Sequence, residues 1–239
     1  MVIVIPCYKE ARRIDVDEFV RVSEFFQTAV FVDDGSSDET FERLSLVKRR
    51  MTASGGHALV ERLPQNVGKG EAVRLGIRRC LAARGTPKAP AVADADLSAP
   101  FGEMCRLAGL LLARGCDVVQ GSRVRLMGKD IVRSPIRHYV GRVSATLISQ
   151  MLDLPIYDTQ AGAKVFSARA VEGPLFQQPF LSRWLFDCEI FLRVRQLGLN
   201  IIEEPLERWH AQPVDSKVNI FSYLRSLHDL LRIRGHYLG

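Results

Sequence analysis

Short apolar, β-branched runs alternate along the chain with longer segments in which apolar residues recur at helical spacing. The short runs are typical of buried strands, and the longer segments are typical of amphipathic helices. In the first half the predicted strands are residues 2–5, 29–32, 58–62, 91–93 and 117–120. The predicted helices between them are residues 16–28, 38–51, 70–84 and 101–114. This repeated strand–helix–strand order predicts an α/β fold, with a mostly parallel sheet flanked by helices.

The second half of the chain has a less regular pattern. Its predicted elements are a helix over 136–152, an extended segment over 159–166, a helix over 183–196, a strand over 200–204 and a last helix over 220–234. In the last helix, leucines recur at helical spacing and arginines occupy other positions. This C-terminal helical extension therefore either packs on the core or docks on a membrane surface.

The composition is that of a globular protein, with 47% hydrophobic and 25% charged residues among 239. The five cysteines are scattered and lack the close pairs of a zinc or redox site, which predicts reduced thiols in a cytosolic protein. No apolar run approaches the roughly 20 residues that cross a bilayer, and the chain begins with a strand pattern. We therefore expect neither a membrane span nor a signal peptide.

The formal net charge of +6 is unevenly distributed. Residues 121–142 contain the single acid Asp130 and six basic residues, Arg123, Arg125, Lys129, Arg133, Arg137 and Arg142. Such a segment either attracts phosphates or an anionic lipid surface, or forms a solvated basic loop. No nucleic-acid-binding motif accompanies the charge, so we expect no nucleic-acid partner.

Polar residues follow the predicted strands, at the sheet edge where ligands bind in parallel α/β folds. Residues 6–10 follow the first strand, and residues 33–38 follow the second. Ser36 and Glu39 have the spacing of a capping box, which would assign part of this acidic cluster to a helix start. The alternative is that Asp34 accepts hydrogen bonds from a base or ribose while Tyr8 flanks it.

Three further segments carry candidate chemistry. The turn at residues 66–70 either receives an anion on its backbone amides or is simply a turn with permissive glycines. Asp94 and Asp96 follow the fourth strand, and strand alternation would point both carboxylates the same way. Hard carboxylate oxygens suit Mg²⁺ or Mn²⁺, which completes its shell with water and substrate phosphates. Arg123 ends the fifth strand, and its planar guanidinium suits phosphate oxygens.

The motifs at residues 4–10, 32–38, 66–70 and 93–96 resemble family 2 glycosyltransferases in order and spacing. The motifs at residues 158–166 and 183–189 are similar to the dolichyl-phosphate β-glucosyltransferase branch of polyprenyl-phosphate glycosyltransferases. The Arg183–Trp184 pair favours this branch over the dolichyl-phosphate mannose synthases. The resemblance covers residues 2 to about 231 and implies one domain of GT-A fold over 1–239. Its nucleotide-binding half would be 1–123 and its acceptor-binding half 124–239.

The resemblance also implies roles for individual residues. Asp94 and Asp96 would bind the metal and the donor diphosphate, and Arg123 would contact phosphate. The residues implied to hold the nucleoside are Pro6, Tyr8, Glu10, Val32 and Asp34. The residues implied to line the sugar and acceptor pocket are Asp158, Gln160, Asp187 and Glu189. Together with the metal ligands Asp94 and Asp96, they form the predicted catalytic set. The remaining predicted substrate-binding residues are Lys69, Ala95, Arg133 and Lys217.

The implied reaction is inverting transfer of a hexosyl group, most simply glucose from UDP-glucose, to a polyprenyl (dolichyl) phosphate. A phosphate monoester is already ionised at neutral pH, so no general base is required. The alternatives are transfer of mannose from GDP-mannose, transfer to a saccharide hydroxyl with Asp187 or Glu189 as the base, and nucleotide-sugar binding without turnover. The eukaryotic enzymes of this branch carry an N-terminal membrane helix, and this sequence predicts none. This difference indicates a bacterial or archaeal relative or a peripheral enzyme, and we expect a cytoplasmic enzyme that can contact an anionic membrane surface.

Overall fold

The computed structural model describes residues 1–133, 135–211 and 220–239, without the side chains of residues 84, 135–138 and 220–225. Within these ranges the main sheet has seven strands in the order β3-β2-β1-β4-β7-β5-β8, and β6 pairs with β9 beside it. The strands are β1 Val2–Cys7, β2 Thr28–Asp33, β3 His57–Arg62, β4 Pro90–Val92, β5 Val118–Ser122, β6 Asp130–Val132, β7 Lys164–Phe166, β8 Ile201–Pro205 and β9 Arg208–His210.

Helices connect these strands and cover the sheet. They are α1 Val16–Val20, α2 Thr40–Ala53, α3 Lys69–Arg84, α4 Phe101–Arg114, α5 Pro135–Leu152, α6 Ala168–Glu172, α7 Phe186–Gln196 and α8 Ile220–Tyr237. Short 3-10 turns lie at Arg21–Glu24 and Pro174–Phe176. None of the described helices has the length and apolar character needed to cross a bilayer. The predicted α/β architecture, including the C-terminal helix, is confirmed.

The core forms two layers because both faces of the sheet are buried. Along β1, Val2 and Val4 contact a cluster that includes residues of α3, α7 and α8. Ile3 and Ile5 contact a second cluster that includes residues of α2 and α4. Successive side chains of a strand point to opposite faces, so an uninterrupted apolar strand supplies both layers at once.

Strand β7 runs against the direction of its neighbours. It pairs antiparallel with both β4 and β5, whereas β1 pairs in parallel with β2 and β4, and β5 pairs in parallel with β8. The start of β7 therefore lies at the same sheet edge as the ends of β4 and β5. This direction brings the loop of residues 158–163, which precedes β7, to the edge where the family motifs end.

Two predicted elements differ from the structure, and two short strands were not predicted. The helix predicted over 16–28 is the short α1 followed by a 3-10 turn, since Gln27 donates to the carbonyl of Met1 at 3.0 Å as the chain enters β2. The buried residues Phe19, Val22 and Phe26 have helical spacing although the chain cannot continue as a helix. The extended segment predicted over 159–166 is a strand only at Lys164–Phe166, and the pattern missed the three-residue strands β6 and β9.

Helix α3 packs closely against β1 and β2 at Gly76. A Cβ atom at this position would clash with Val4 and would lie 3.0 Å from a methyl carbon of Val32. We predict that Gly76→Ala lowers the free energy of unfolding by about 1–3 kcal/mol through overpacking. Gly109→Ala in α4 is the matched control, because open space surrounds that position, and it should raise stability by about 0.5–1 kcal/mol. Equal effects in urea unfolding experiments would contradict the close packing.

Candidate active site

The candidate site lies where β4 and β5 end and β7 begins. Asp94 and Asp96 follow β4, Arg123 follows β5, and Lys69 opens α3 from the neighbouring turn. The loop of residues 158–163 crosses this edge before β7. Charged residues that are far apart in the sequence therefore meet in one crevice.

Asp94 is the centre of this charge cluster. The ammonium of Lys69 lies 2.5 Å from Asp94 Oδ1, and both side chains remain about one third exposed. Burial would raise the pKa of Asp94, but the ammonium of Lys69 lowers it below its ordinary value. A Cβ atom at Gly162 would clash with the Asp94 carboxylate, so only glycine leaves room for the carboxylate beside this loop.

The two carboxylates of the predicted metal site are arranged by a turn. Strand β4 ends at Val92, and the Leu97 amide donates to the Asp94 carbonyl at 3.2 Å. The expectation that strand alternation aligns Asp94 and Asp96 is therefore wrong. Asp96 Oδ1 accepts a hydrogen bond from the Ser98 amide at 3.0 Å, and the side chain is partly exposed.

The residues at this turn fit a divalent cation. Within the described ranges, no group of three or more His, Cys, Asp or Glu side chains is placed to hold a metal. Mg²⁺ usually keeps several waters and binds through one or two carboxylates and substrate phosphates, so two aspartates are a suitable protein contribution. Gly162 leaves room for the Asp94 carboxylate itself at this position.

Arg123 and Asp158 form a second ion pair in the crevice. The Arg123 guanidinium donates two hydrogen bonds to the Asp158 carboxylate, at 2.7 and 2.8 Å. Burial opposes ionisation of Asp158, but Arg123 outweighs burial and lowers the pKa of Asp158 to about 2. The backbone amide of Asp158 donates to Glu203 of β8 at 2.6 Å, and the side-chain amide of Gln120 in β5 donates to the carbonyls of Asp158 and Ala161. The loop is thus fixed from two strands.

Gln160 lies in the same loop. Its backbone amide donates to Asp158 Oδ1 at 3.2 Å. Its side-chain Nε2 is buried and has no hydrogen-bond partner among the described residues. An unsatisfied buried donor is costly, which is consistent with the ligand contact predicted for this residue.

Asp187 lies beneath the crevice in a buried ion pair. Its Oδ1 is 2.6 Å from the ammonium of Lys164, and the two side chains are 5% and 3% exposed. Lys164 also donates to the Ala161 carbonyl at 2.6 Å. Burial raises the pKa of Asp187 above its ordinary value, although Lys164 and Lys69 oppose that shift. The family motif contains Lys164, but the sequence alone assigned it no role, and its visible signal was a lysine inside an apolar strand.

The structure does not bring Glu189 to this cluster. Residues that are two positions apart in a helix are separated by about 200° around its axis. Asp187 and Glu189 therefore lie on different sides of α7. Glu189 is fully buried and accepts hydrogen bonds from the amides of Leu181 and Ser182, at 2.9 and 2.8 Å. These contacts stabilise the segment before α7 instead of facing the crevice.

Asp34 anchors the turn of residues 66–70. Its carboxylate accepts hydrogen bonds from the amides of Val67 and Gly68, at 2.7 and 2.9 Å, and from the side chain of Asn66. Gly68 has a φ angle of 102°, and a Cβ atom there would clash with Arg183. Arg183 in turn donates to the Asn66 carbonyl at 2.9 Å. Asp34 is thus almost completely buried by this turn, and its contact with a nucleoside stays a prediction.

The predicted capping box at Ser36 and Glu39 is wrong. Glu39 is the N-cap residue of α2 and makes no side-chain cap hydrogen bond. The Ser36 hydroxyl instead accepts a hydrogen bond from the Lys9 amide at 3.0 Å. The acidic segment therefore ties the loop after β1 to the loop after β2.

The other predicted binding residues differ in accessibility. Tyr8 is partly exposed at the end of β1, whereas Glu10 is nearly buried and pairs with Arg13 at 3.2 Å. Pro6, Val32 and Ala95 are buried, and Val32 belongs to the apolar core, so its side chain is not available to a ligand. The Arg133 guanidinium lies beside Gly141 of α5. Lys217 lies outside the described residues.

The family relationship follows from a match that covers most of the chain. The profile of the family described as Glycosyl transferase family 2 matches residues 2–173. The chain belongs to glycosyl transferase family 2. The family predicted from the motifs is confirmed, and the crevice lies where those motifs meet.

Two related proteins of this glycosyltransferase family come from Trichomonas vaginalis. Dolichyl-phosphate beta-glucosyltransferase ALG5C is 31% identical over 96% of this chain and 69% of its own length. Dolichyl-phosphate beta-glucosyltransferase ALG5D is 30% identical over 98% of this chain and 72% of its own length. Both carry the name of the branch that the motifs at residues 158–166 and 183–189 indicate.

Solved structures with the same architecture support the fold. Glucosyl-3-phosphoglycerate synthase from Mycobacterium tuberculosis, in complex with UDP, superposes with a TM-score of 0.64 at 20% identity over 98% of this chain and 79% of that one. The same synthase in complex with Mn²⁺ and UDP-glucose gives a TM-score of 0.63 over 98% of this chain and 78% of that one, again at 20% identity. The predicted GT-A fold of this glycosyltransferase is confirmed.

The buried pair of Lys164 and Asp187 can be tested for its contribution to stability. We predict that Lys164→Met lowers the free energy of unfolding by about 3–5 kcal/mol, because it leaves a buried carboxylate without its cation. Adding Asp187→Asn should recover part of this loss by removing the unpaired charge. Urea unfolding at pH 7 measures both effects, and Lys48→Met at an exposed position of α2 is the control. A loss at Lys164 no larger than at Lys48 would exclude a structural role for the pair.

Proposed function

We propose that this protein transfers a glucosyl group from UDP-glucose to a polyprenyl phosphate, with inversion at the anomeric carbon and with a requirement for Mg²⁺ or Mn²⁺. The observation that carries the proposal is the crevice in which Asp94 meets Lys69 and Gly162 beside the pair of Arg123 and Asp158. The names of the two Trichomonas vaginalis relatives support the acceptor and the sugar. The complex of the mycobacterial synthase with Mn²⁺ and UDP-glucose supports the donor and the metal.

The donor diphosphate would bind at the positive side chains of the crevice. Lys69 and Arg123 pair with carboxylates, and both are suited to phosphate oxygens. Asp94 and Asp96 would hold the divalent cation, which supplies neutralisation of the negative charge that develops on the leaving diphosphate. Gln160 Nε2 is buried and has no hydrogen-bond partner among the described residues. It would donate to a hydroxyl or phosphate oxygen of the substrates.

The acceptor oxygen requires no general base if the acceptor is a phosphate. A phosphate monoester has a second pKa of about 6, so a nucleophilic oxyanion is present at neutral pH. Asp187, the carboxylate that a hydroxyl acceptor would need as a base, is buried against Lys164. Catalysis would then depend on placing the acceptor oxygen in line with the anomeric carbon, for which the fixed loop of residues 158–163 is suited.

Two further features belong to the same proposal. Residues 1–123 would form the nucleotide-binding half and residues 124–239 the acceptor-binding half of one domain. The protein would be cytoplasmic and would work at the cytoplasmic face of a membrane, where its lipid-linked acceptor resides.

Transfer assays test the reaction and the metal ligands together. Radiolabelled UDP-glucose and, in parallel, GDP-mannose are incubated with a polyprenyl phosphate in Mn²⁺ or Mg²⁺. We expect a glucosyl lipid that disappears with a chelator, and we expect Asp96→Asn to lower its rate by about 100-fold or more, since a catalytic cation contributes several kcal/mol. Asp17→Asn, at an exposed position of α1, should leave the rate unchanged.

The possible outcomes separate the competing functions. Formation of a mannosyl lipid from GDP-mannose would identify the protein as a polyprenyl-phosphate mannosyltransferase. Donor binding with neither lipid product nor hydrolysis of either donor would indicate a non-catalytic nucleotide-sugar-binding protein. Release of free sugar without a lipid product would favour a saccharide as the acceptor.

Asp187→Asn separates the two acceptor classes. With a lipid phosphate as acceptor, we predict that this variant retains a measurable transfer rate, because no proton has to be removed from the nucleophile. Thermal unfolding and UDP binding serve as controls for folding and for the donor site. Complete loss of transfer in a folded variant that still binds UDP would contradict this prediction and argue for Asp187 as a base.

A further inference from the structure

Helix α5 exposes large apolar side chains along one face. Tyr139, Val143 and Leu147 follow one another at intervals of four residues, and Val140 lies beside them. Val143 is 72% exposed and Leu147 is 46% exposed. A helix whose outer face is apolar departs from the usual pattern of a surface helix, in which that face is polar.

The C-terminal end of α5 packs on the core. Ile148 and Leu152 are buried in the same apolar cluster as Leu230 and Ile233 of α8. Arg234 of α8 donates to the Met151 carbonyl at 2.5 Å. The exposed face of α5 is thus additional apolar surface on a helix that the core already holds in place.

Helix α8 presents a second apolar stripe. The C-terminal leucines that share helical spacing in the sequence separate in the structure, since Leu230 is buried whereas Leu227 and Leu231 are 44% and 54% exposed. The prediction that this helix packs on the core therefore holds for one of its faces, and the opposite face keeps exposed leucines. Packed together, α5 and α8 leave these two stripes exposed.

The charge of these two helices is complementary to an anionic surface. The segment of α5 contains two arginines and no Asp or Glu. The segment of α8 contains three arginines and one acid, Asp229, whose carboxylate accepts a hydrogen bond from the Ser182 hydroxyl at 2.7 Å. Apolar side chains combined with arginines are typical of helices that lie in the interface of a membrane with anionic lipids.

A direct connection joins α5 to the candidate site. The guanidinium of Arg142 stacks on the Tyr157 ring, 3.3 Å from its centroid, and donates to the Tyr157 carbonyl at 2.8 Å. The next residue, Asp158, pairs with Arg123 in the crevice. A surface that binds α5 would therefore contact the helix that holds Tyr157, the residue before the loop predicted to contact the acceptor.

We propose that the exposed faces of α5 and α8, defined by Tyr139, Val140, Val143, Leu147, Leu227 and Leu231 and called here the docking face, bind the surface of an anionic lipid bilayer. This proposal rests on the proposed function for its purpose, because a polyprenyl phosphate resides in a bilayer. The apolar side chains enter the headgroup and acyl boundary, and the net positive charge of the two helices favours an anionic surface. Docking through α5 would bring the membrane to the helix whose Arg142 contacts Tyr157, the residue before Asp158 of the crevice.

Vesicle co-sedimentation of the full chain tests the docking face. The probes are vesicles of phosphatidylcholine alone and vesicles of phosphatidylcholine with phosphatidylglycerol, both without any polyprenyl phosphate. We expect stronger binding to the anionic vesicles, weakened at 1 M salt because the screening length falls to about 3 Å. The double variant Val143→Glu/Leu147→Glu should bind these vesicles about tenfold less or worse, since two apolar side chains no longer enter the bilayer.

Exposed apolar residues on other helices provide the matched control. Leu112 of α4 is 57% exposed and Leu46 of α2 is 38% exposed. Leu46→Glu/Leu112→Glu makes the same chemical change on faces that the proposal leaves in water, so it should lose much less binding than Val143→Glu/Leu147→Glu. Thermal unfolding checks that both double variants are folded. If Val143→Glu/Leu147→Glu does not fold, Leu231→Ser replaces it and should weaken binding in the same direction.

Each remaining outcome decides against the docking face. Equal loss of binding in both double variants would show that net charge, and not this face, governs the association. Wild-type protein that does not bind either kind of vesicle would overturn the proposal. A wild-type dimer in sedimentation velocity that Val143→Glu/Leu147→Glu converts to a monomer would assign the face to a second copy of the chain. Because the vesicles contain no acceptor, docking can succeed even if glucosyl transfer is not found, and the two failures are distinguishable.

Discussion

The buried ammonium of Lys164 is the interaction on which the arrangement of the site depends. It lies on β7, bonds the Asp187 carboxylate of α7, and donates to the Ala161 carbonyl in the loop before its own strand. A charge in this position is stable only with such partners, because the cost of removing it from water is large. The strand, the helix and the loop are therefore held in one geometry by a single side chain.

The direction of β7 makes this geometry useful. Because β7 is antiparallel to β4 and β5, its preceding loop lies over the ends of both strands. Gly162 then contacts the Asp94 carboxylate, and Asp158 reaches Arg123. A parallel β7 would have placed this loop at the opposite edge of the sheet, away from Asp94.

The charge pairs of the crevice differ in depth, and this difference assigns them different tasks. The pair of Lys164 and Asp187 is buried, whereas Lys69 and Asp94 remain about one third exposed. A buried pair supports the structure, since breaking it leaves an unpaired charge in the interior. A half-exposed pair exchanges partners more easily, because water compensates each charge as it separates. In the proposed function, the more exposed pair of Lys69 and Asp94 is the one that a diphosphate and a cation would enter.

The sequence by itself determined the family, the α/β architecture and most of the residues of the crevice. The apolar strands, the helical spacing and the motifs at residues 66–70 and 93–96 are local patterns, and local patterns report the elements that they form. It did not determine the direction of β7 or the strands β6 and β9, because strand direction and pairing depend on segments that are distant in the chain.

Only the tertiary structure decided which motif residues face the crevice. Asp187 and Glu189 belong to one motif, but the helical turn separates them and buries Glu189 against the Leu181 and Ser182 amides. Asp34 looked like a free carboxylate and is instead surrounded by the turn after Asn66. Lys164 looked like one lysine of a strand and is the cation beneath the site. In each case the partner is distant in the chain, so burial and pairing are properties of the packed molecule, which residue type and spacing do not encode.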